Sequence, residues 1–224
     1  MAILSAAPIS AAESAVPSPG KEIIIPNVPF TAQAPLGNWR DRRQQDGCEE
    51  TASLMAVTWA RGQKTLAKAE AERHVLAIAG YEKKFYGSFT DTSAGDTLKR
   101  IINGYFKFSA AGLKTKAGIA DLKKALGEGA VVIIPTDGRK LKNPYFTQPG
   151  PERHNLLLIG YDGRKKEFIA NDPGTRRGAG YRYGEKIIEA AWRDYPTGDH
   201  LPIKGLEKNM IIVRREKSTA IDRK

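Results

Sequence analysis

One cysteine, Cys48, and three histidines, His74, His154 and His200, set the limits of the nucleophilic and metal chemistry open to this chain. Cys48 stands in the run Gln44-Gln45-Asp46-Gly47-Cys48-Glu49-Glu50, directly before the apolar stretch Thr51 to Ala60, where a helix should begin. Asp46 and Glu49 form a capping-box-like pair, which predicts that Cys48 falls in the first helical turn among unpaired backbone N–H groups. The positive end of a helix macrodipole, worth about half a charge, favours a thiolate there, and the thiolate is the reactive form. The alternative is an inert buried thiol, the usual fate of a free cysteine. Glu49 and Glu50 oppose the thiolate unless their carboxylates point away.

A thiol nucleophile needs a base to take its proton and a third group to orient that base. His74 lies inside a helical stretch and reads as a surface or packing residue, while His200 sits in a turn-like segment after Thr197-Gly198-Asp199 with no local partner. His154 opens the apolar strand Asn155 to Ile159, so its ring is expected at a sheet edge facing the helical half. Asp162-Gly163 reads as a hairpin turn, and the returning strand Glu167 to Asn171 runs into Asn171-Asp172-Pro173-Gly174. Antiparallel pairing about that turn brings Asn171 or Asp172 to the His154 end of the hairpin, where either could hold the imidazole. The alternative is that Asp172 merely starts a turn.

Isolated histidines and a single cysteine lack the paired spacings of zinc sites, and no cofactor motif is present, so neither metal nor cofactor is expected. The run Gly174-Thr175-Arg176-Arg177-Gly178-Ala179-Gly180 invites comparison with an anion cradle but lacks the Gly-Lys-Ser/Thr ending of a phosphate loop; it reads as a flexible rim beside Asp172. Trp39, Tyr86, Phe89, Tyr145 and Phe146 fall in expected loops and could line a peptide cleft.

The elements that must position these residues divide the chain into two halves. After an expected strand at Glu22 to Val28 and an irregular loop from Thr31 to Asp46, the apolar spacing predicts the Cys48 helix, then helices over Thr65 to Ala79 (ended by Gly80), Ala94 to Tyr105 and Ile119 to Leu126. Strand signals dominate from Ala130 to Ile134 onward, with Asn155 to Tyr161, Glu167 to Asn171, Gly180 to Tyr183 and Met210 to Arg214, and a helix around Glu185 to Trp192. Helices first and an antiparallel sheet after them make an α+β domain.

A chain of 224 residues with 41% hydrophobic and 27% charged residues suits one domain with a substantial core. No apolar run approaches the roughly 20 residues that span a bilayer. Residues 1–21, rich in Ala, Ser and Pro, read as a disordered N-terminal segment or linker, equally the remnant of a trimmed export signal; residues 22–216 form the folded domain and 217–224 a charged tail. The net charge of +11 would attract an acidic polymer such as cell-surface material, but acids are interspersed with the bases and no nucleic-acid-binding signature appears.

Taken together, Val28-Pro29-Phe30 with Gln33, Asp46-Gly47-Cys48, His154 to Ile159 followed by Gly160-Tyr161-Asp162, and Asn171-Asp172-Pro173 resemble the C39-like branch of the papain-like cysteine peptidases, over roughly residues 26 to 195. The resemblance implies a papain-like cysteine peptidase fold, with an N-terminal helical half packed on a C-terminal antiparallel sheet, and a peptide or protein substrate. It implies Cys48 as nucleophile, His154 as general base and then acid, Asp172 as orienter, and an upstream glutamine completing the oxyanion hole with the Cys48 backbone N–H. Gln33 matches the family's Val-Pro-x-x-x-Gln pattern and ranks first for that role, with Gln45 second. It also implies secretion or attachment to a bacterial cell surface, with a cytoplasmic location left open. The chain departs from many relatives in carrying Glu49-Glu50 where they have Gly, and in a longer loop between Pro29 and Cys48. An inactive relative that binds peptide or wall polymer, and a transpeptidase with the same triad, remain open beside the hydrolase.

Overall fold

The computed structural model describes residues 20–216; the expected N-terminal segment, all but its last two residues, and the charged tail lie outside them. At its centre is α2 (Cys48–Ala60), of which every residue is buried. Such a helix has no solvent face, which explains its mostly apolar and small sequence, and it packs across strand β4 (His154–Asp162). β4 is likewise buried along its whole length.

All strands among the described residues join one seven-stranded sheet in the order β2-β7-β3-β4-β5-β6, with β1 also paired to β4. These are β1 (Glu22–Ile24), β2 (Ala111–Lys114), β3 (Val131–Thr136), β5 (Glu167–Asn171), β6 (Tyr181–Gly184) and β7 (Met210–Val213), and every pairing is antiparallel. One side of β4 is shared: its residues His154 to Leu158 pair with β3, and Gly160 to Asp162 pair with β1. β5 covers the other side, with a bulge at Ile159. β4 is thus an interior strand, but its first residues, His154 to Leu156, pair with β3 alone, which leaves His154 with no strand among the described residues on its β5 side.

Against α2 pack α3 (Lys68–Tyr86) and a π-helical stretch over Thr97–Tyr105 that continues α4 (Ala94–Asp96); α1 (Arg42–Gln45) packs on α3, and α5 (Ile119–Gly127) packs on β3 and β4. Two short helices, α6 (Gly138–Leu141) and α7 (Glu185–Ala191), pack on each other near the far strands. The core fills the space between with Trp59, Trp192, Phe108, Phe168 and many Leu, Ile and Val side chains. The α+β reading holds, with two local corrections. Helix α3 runs through Gly80, which is exposed, and stops only at Gly87, whose left-handed backbone (φ 82°) ends it. Strand β2 falls in a segment where no strand was expected. No helix among the described residues is long and apolar enough to cross a membrane.

Candidate active site

Cys48 is the first residue of α2, capped by Gly47 with no side-chain capping bond. The expected capping box is absent because α1 occupies the preceding residues: Asp46 ends that helix, sending its N–H to the carbonyls of Arg42 and Gln44 and pairing its carboxylate with Arg42. Only Asp46-Gly47 thus separates the two helices. Gly47 is needed there, since a Cβ at that position would sit 2.7 Å from the Arg43 carbonyl oxygen.

His154 begins β4, and Asp172 follows β5, as the hairpin register brings the two strand ends together. Between their side chains runs a bond of 2.7 Å from His154 Nε2 to Asp172 Oδ1. Both residues are buried. The carboxylate collects further donors: the Tyr183 hydroxyl at 2.5 Å and the Asn143 amide at 3.0 Å on Oδ2, and the Gly174 N–H at 2.9 Å on Oδ1. Burial by itself would raise the Asp172 pKa, but the imidazole and these donors outweigh it and hold the group below the usual carboxylate range. Asp172 is an anion that fixes the proton of the ring on Nε2, leaving the lone pair on Nδ1. The ring is wedged between the Phe146 edge, with centroids 5.3 Å apart, and Gly174, where a Cβ would come within 2.8 Å of Cε1. Of the two acids the sequence offered, Asp172 meets His154; Asn171 instead ties β5 to the N-terminal loop through the Pro29 carbonyl at 3.1 Å.

Cys48 and His154 line one cleft of about 890 Å³ together with Gln33, Gln45, Trp39, Tyr145 and Phe146. Gln33 is held by its backbone N–H on the Pro173 carbonyl at 2.9 Å, and its side-chain amide donates to the Gln45 carbonyl. One amide hydrogen of Gln33 is thereby used and one remains. Gln45 offers the site its backbone rather than its side chain in this contact. Tyr86 and Phe89 do not line the cleft.

The family model of the C39-like peptidases (Peptidase_C39 like family) matches residues 25–198. The chain belongs to the C39-like peptidase family. Its fold is similar to that of a Bacillus anthracis protein assigned to the C39-like peptidases, at a TM-score of 0.56 and 20% identity over 88% of this chain and 100% of that one. Xylellain, a cysteine protease from Xylella fastidiosa, matches at a TM-score of 0.39 and 11% identity over 93% and 91% of the two chains. Among curated proteins nothing matches the chain.

The nearest partner of the sulfur in this C39-like chain is Glu49. Its carboxylate turns back onto the cysteine, and the Cys48 thiol donates to Oε2 at 2.9 Å. Oε1 accepts from the Tyr195 hydroxyl at 2.7 Å and the Thr92 N–H at 3.3 Å, and Tyr195 in turn accepts from Asn155, the neighbour of His154, at 2.6 Å. Burial, then the Glu49 charge and hydrogen bond, then Glu50, push the Cys48 thiol well above its ordinary range, and only the Asn155 N–H acts the other way. The thiol is therefore protonated at rest. Burial also raises Glu49 and, together with the neighbouring acids, raises Glu50 strongly; Glu82 of α3 is pushed up to about 8. Both oxygens of Glu50 and of Glu82 are buried without a protein partner.

Residues that local sequence patterns did not reveal are Glu49 as a partner of the sulfur, Tyr195, Tyr183, Asn143 and His200. The last lies in the cleft, with its N–H on Asp91 Oδ2 at 2.8 Å and its ring against the same carboxylate at 3.3 Å. Among the described residues no cluster of three or more His, Cys, Asp or Glu is arranged to hold a metal ion.

Proposed function

We propose that the chain is a thiol hydrolase that cuts a peptide or amide bond through an acyl-enzyme on Cys48. Supporting this is one observation above the rest: a buried His154–Asp172 pair opens into the same cleft as a cysteine at the start of a buried helix. In this reading a peptide carbonyl enters between Cys48 and Gln33. The Cys48 proton leaves for His154 Nδ1 as Sγ attacks the carbonyl carbon, and Asp172 stabilises the imidazolium that forms. The tetrahedral oxyanion is met by the spare Gln33 amide hydrogen and the Cys48 backbone N–H, free because it opens a helix. His154 then protonates the departing amine, leaving a thioester. Water attacks that thioester with its proton passing to His154, and the acid product departs as the thiol is restored.

Because the resting sulfur is a thiol bonded to a carboxylate, it must give up Glu49 before it can be deprotonated by His154. Proton removal is then general-base catalysis in the attacking step rather than the use of a preformed thiolate.

A second reading, a non-catalytic peptide-binding relative, draws on the same Glu49 contact, which lowers thiol reactivity. Mass spectrometry divides the two. Incubated with a peptide library, the native chain is expected to release fragments and to show a transient acyl adduct on Cys48, while Cys48→Ala and His154→Ala release none. Library peptides that bind without fragments from the native chain would establish the second reading.

A further inference from the structure

We propose that Arg176 and Arg177, on the loop after Asp172, form an anion-binding rim of the cleft that recognises a carboxylate on the peptide substrate. This rests on the peptide-binding cleft of the preceding reading and adds the substrate class.

The loop expected as a flexible rim is tied to the Asn171-Asp172 turn region by hydrogen bonds at Asn171 and Asp172. The Asp172 N–H donates to the Gly178 carbonyl at 2.9 Å, and the Gly180 N–H donates to Asn171 Oδ1 at 3.1 Å. Gly178 lies so close to the chain that a Cβ would fall 1.9 Å from the Asp172 carbonyl oxygen. The hydrogen bonds that fix Asp172 therefore also fix the backbone carrying the two arginines. Their side chains are exposed at the cleft mouth. The Arg177 guanidinium stacks on the Tyr145 ring, 4.8 Å from its centroid, and Arg176 lies against Gly37 of the N-terminal loop, where a Cβ would come 2.3 Å from Nη2. Each arginine is thus pre-positioned without its charge being used.

Charge accounting of the cleft isolates these two. Three acids line it, and all are committed: Asp46 to Arg42 at 3.2 Å, Asp91 to Arg153 at 3.5 Å, and Glu152 to Arg153 at 2.8 Å and Arg139 at 3.2 Å. Arg153, which also lines the cleft, is consumed by Asp91 and Glu152. Among the described residues no carboxylate pairs with Arg176 or Arg177. Planar guanidiniums with free donors, one of them stacked on an aromatic ring, match a carboxylate bidentately in a way that a lysine does not. The ligand is an acidic side chain or the C-terminal carboxylate of the peptide.

Binding can be read without cleavage on Cys48→Ala, using fluorescence anisotropy with labelled decapeptides. One set carries Glu, Gln or Lys at each position in turn, with amidated ends, and a second compares free-acid with amidated C-termini. A charge-assisted carboxylate contact predicts binding about 10-fold to 100-fold tighter for the carboxylate-bearing member of a pair, weakening with added salt. Loss of the preference on Glu-to-Gln exchange assigns it to a side chain, and loss on amidation assigns it to the terminus. In R176Q/R177Q the ratio within each pair is expected to fall to about one, with an unchanged melting temperature because both side chains are exposed. Equal binding of acidic and neutral peptides by Cys48→Ala, or a preference that survives in R176Q/R177Q, overturns the proposal. Absence of cleavage by the native chain, with the carboxylate preference intact, would sink hydrolysis and leave the rim standing.

Discussion

Replacing Glu49 by Gln should make Cys48 more reactive, and the size of the effect follows from the contact itself. The Cys48 thiol reaches Glu49 Oε2 at 2.9 Å in a buried site. When the thiol ionises it faces a second negative charge. Two unit charges about 4 Å apart repel by about 4 kcal/mol at an effective dielectric of about 20. Allowing half of this to be relieved by relaxation leaves a range of about 2 to 4 kcal/mol. At 1.36 kcal/mol per tenfold, the thiolate population below neutral pH would rise by about 30-fold to 900-fold. A more acidic thiol is also a poorer nucleophile, with a Brønsted coefficient near 0.5, which reduces the net gain to about 5-fold to 30-fold.

The assay is the rate of iodoacetamide alkylation of Cys48 between pH 5 and 7, followed by intact mass. Glutamine is the right replacement because its carbonyl oxygen can still accept from Tyr195 and Thr92, so the surrounding network keeps its donors satisfied. The stability of the variant is checked by thermal melting. Alkylation of a folded Glu49→Gln variant at or below the native rate would refute the reasoning, because it would mean that Glu49 does not govern the thiol.

Other outcomes follow from other contacts. Gln33→Ala should lower kcat by about 10²-fold to 10³-fold with a smaller change in KM, measured on whichever library peptide is cleaved, as expected for loss of one oxyanion donor. Glu82 is protonated in the native state and titrates near pH 8 instead of 4.5, so folding takes up a proton between those values and the chain loses stability as pH rises through that window, by about 1.4 kcal/mol per unit. Denaturant titrations of Glu82→Gln at pH 5 and pH 8 should therefore show the variant gaining on the native protein as pH rises; a pH-independent difference would contradict this. Gly178→Ala should force the Arg176–Arg177 loop off Asp172, because its Cβ would overlap the Asp172 carbonyl oxygen at 1.9 Å, and a lowered melting temperature with slower peptide turnover is the expected readout.

How much of this could be read from the sequence depended on the range of the interactions involved. The β4–β5 hairpin was legible because its alternation of apolar strand, turn and returning strand is local, and the register that follows carries Asp172 to His154 without further information. The start of α2 was legible from its apolar run. Its cap is not legible, because the four-residue helix before it leaves no periodic signature and takes Asp46 for its own C-terminus. Gly80 resembles a stop, yet an exposed glycine costs a helix only about 1 kcal/mol, and α3 recovers that by burying Ala71, Val75, Ile78 and Ala79 on its inner face. The Tyr195–Glu49 bond joins residues 146 positions apart, and the Asn143 and Tyr183 donors to Asp172 lie in other elements, so no local pattern could disclose them. The residue order does reveal that Glu49 and Glu50 directly follow the cysteine. It could not reveal that neither has an exposed direction in which to turn, since that follows from the burial of every residue of α2.

That burial decides which of two opposed electrostatic effects governs Cys48. A helix start offers the sulfur the equivalent of about half a positive charge, worth up to about 2 kcal/mol in partly buried geometry. Glu49 opposes it with a full charge, in direct contact and with no water between to screen it. The full charge at shorter range prevails, and the macrodipole that would activate an exposed cysteine serves here only to moderate the penalty. If the chain is a peptidase, the missing stabilisation must arrive with the substrate: a carbonyl seated between Gln33 and Cys48 would draw the thiol from Glu49 toward the His154–Asp172 pair, whose ring is already held by three neighbours that do not involve sulfur, Asp172, Phe146 and Gly174, on a backbone tied to Thr136. A nucleophile kept neutral until the cleft is filled, beside a base already held by Asp172, Phe146 and Gly174, would limit reaction with stray electrophiles while leaving turnover of a correctly seated peptide intact.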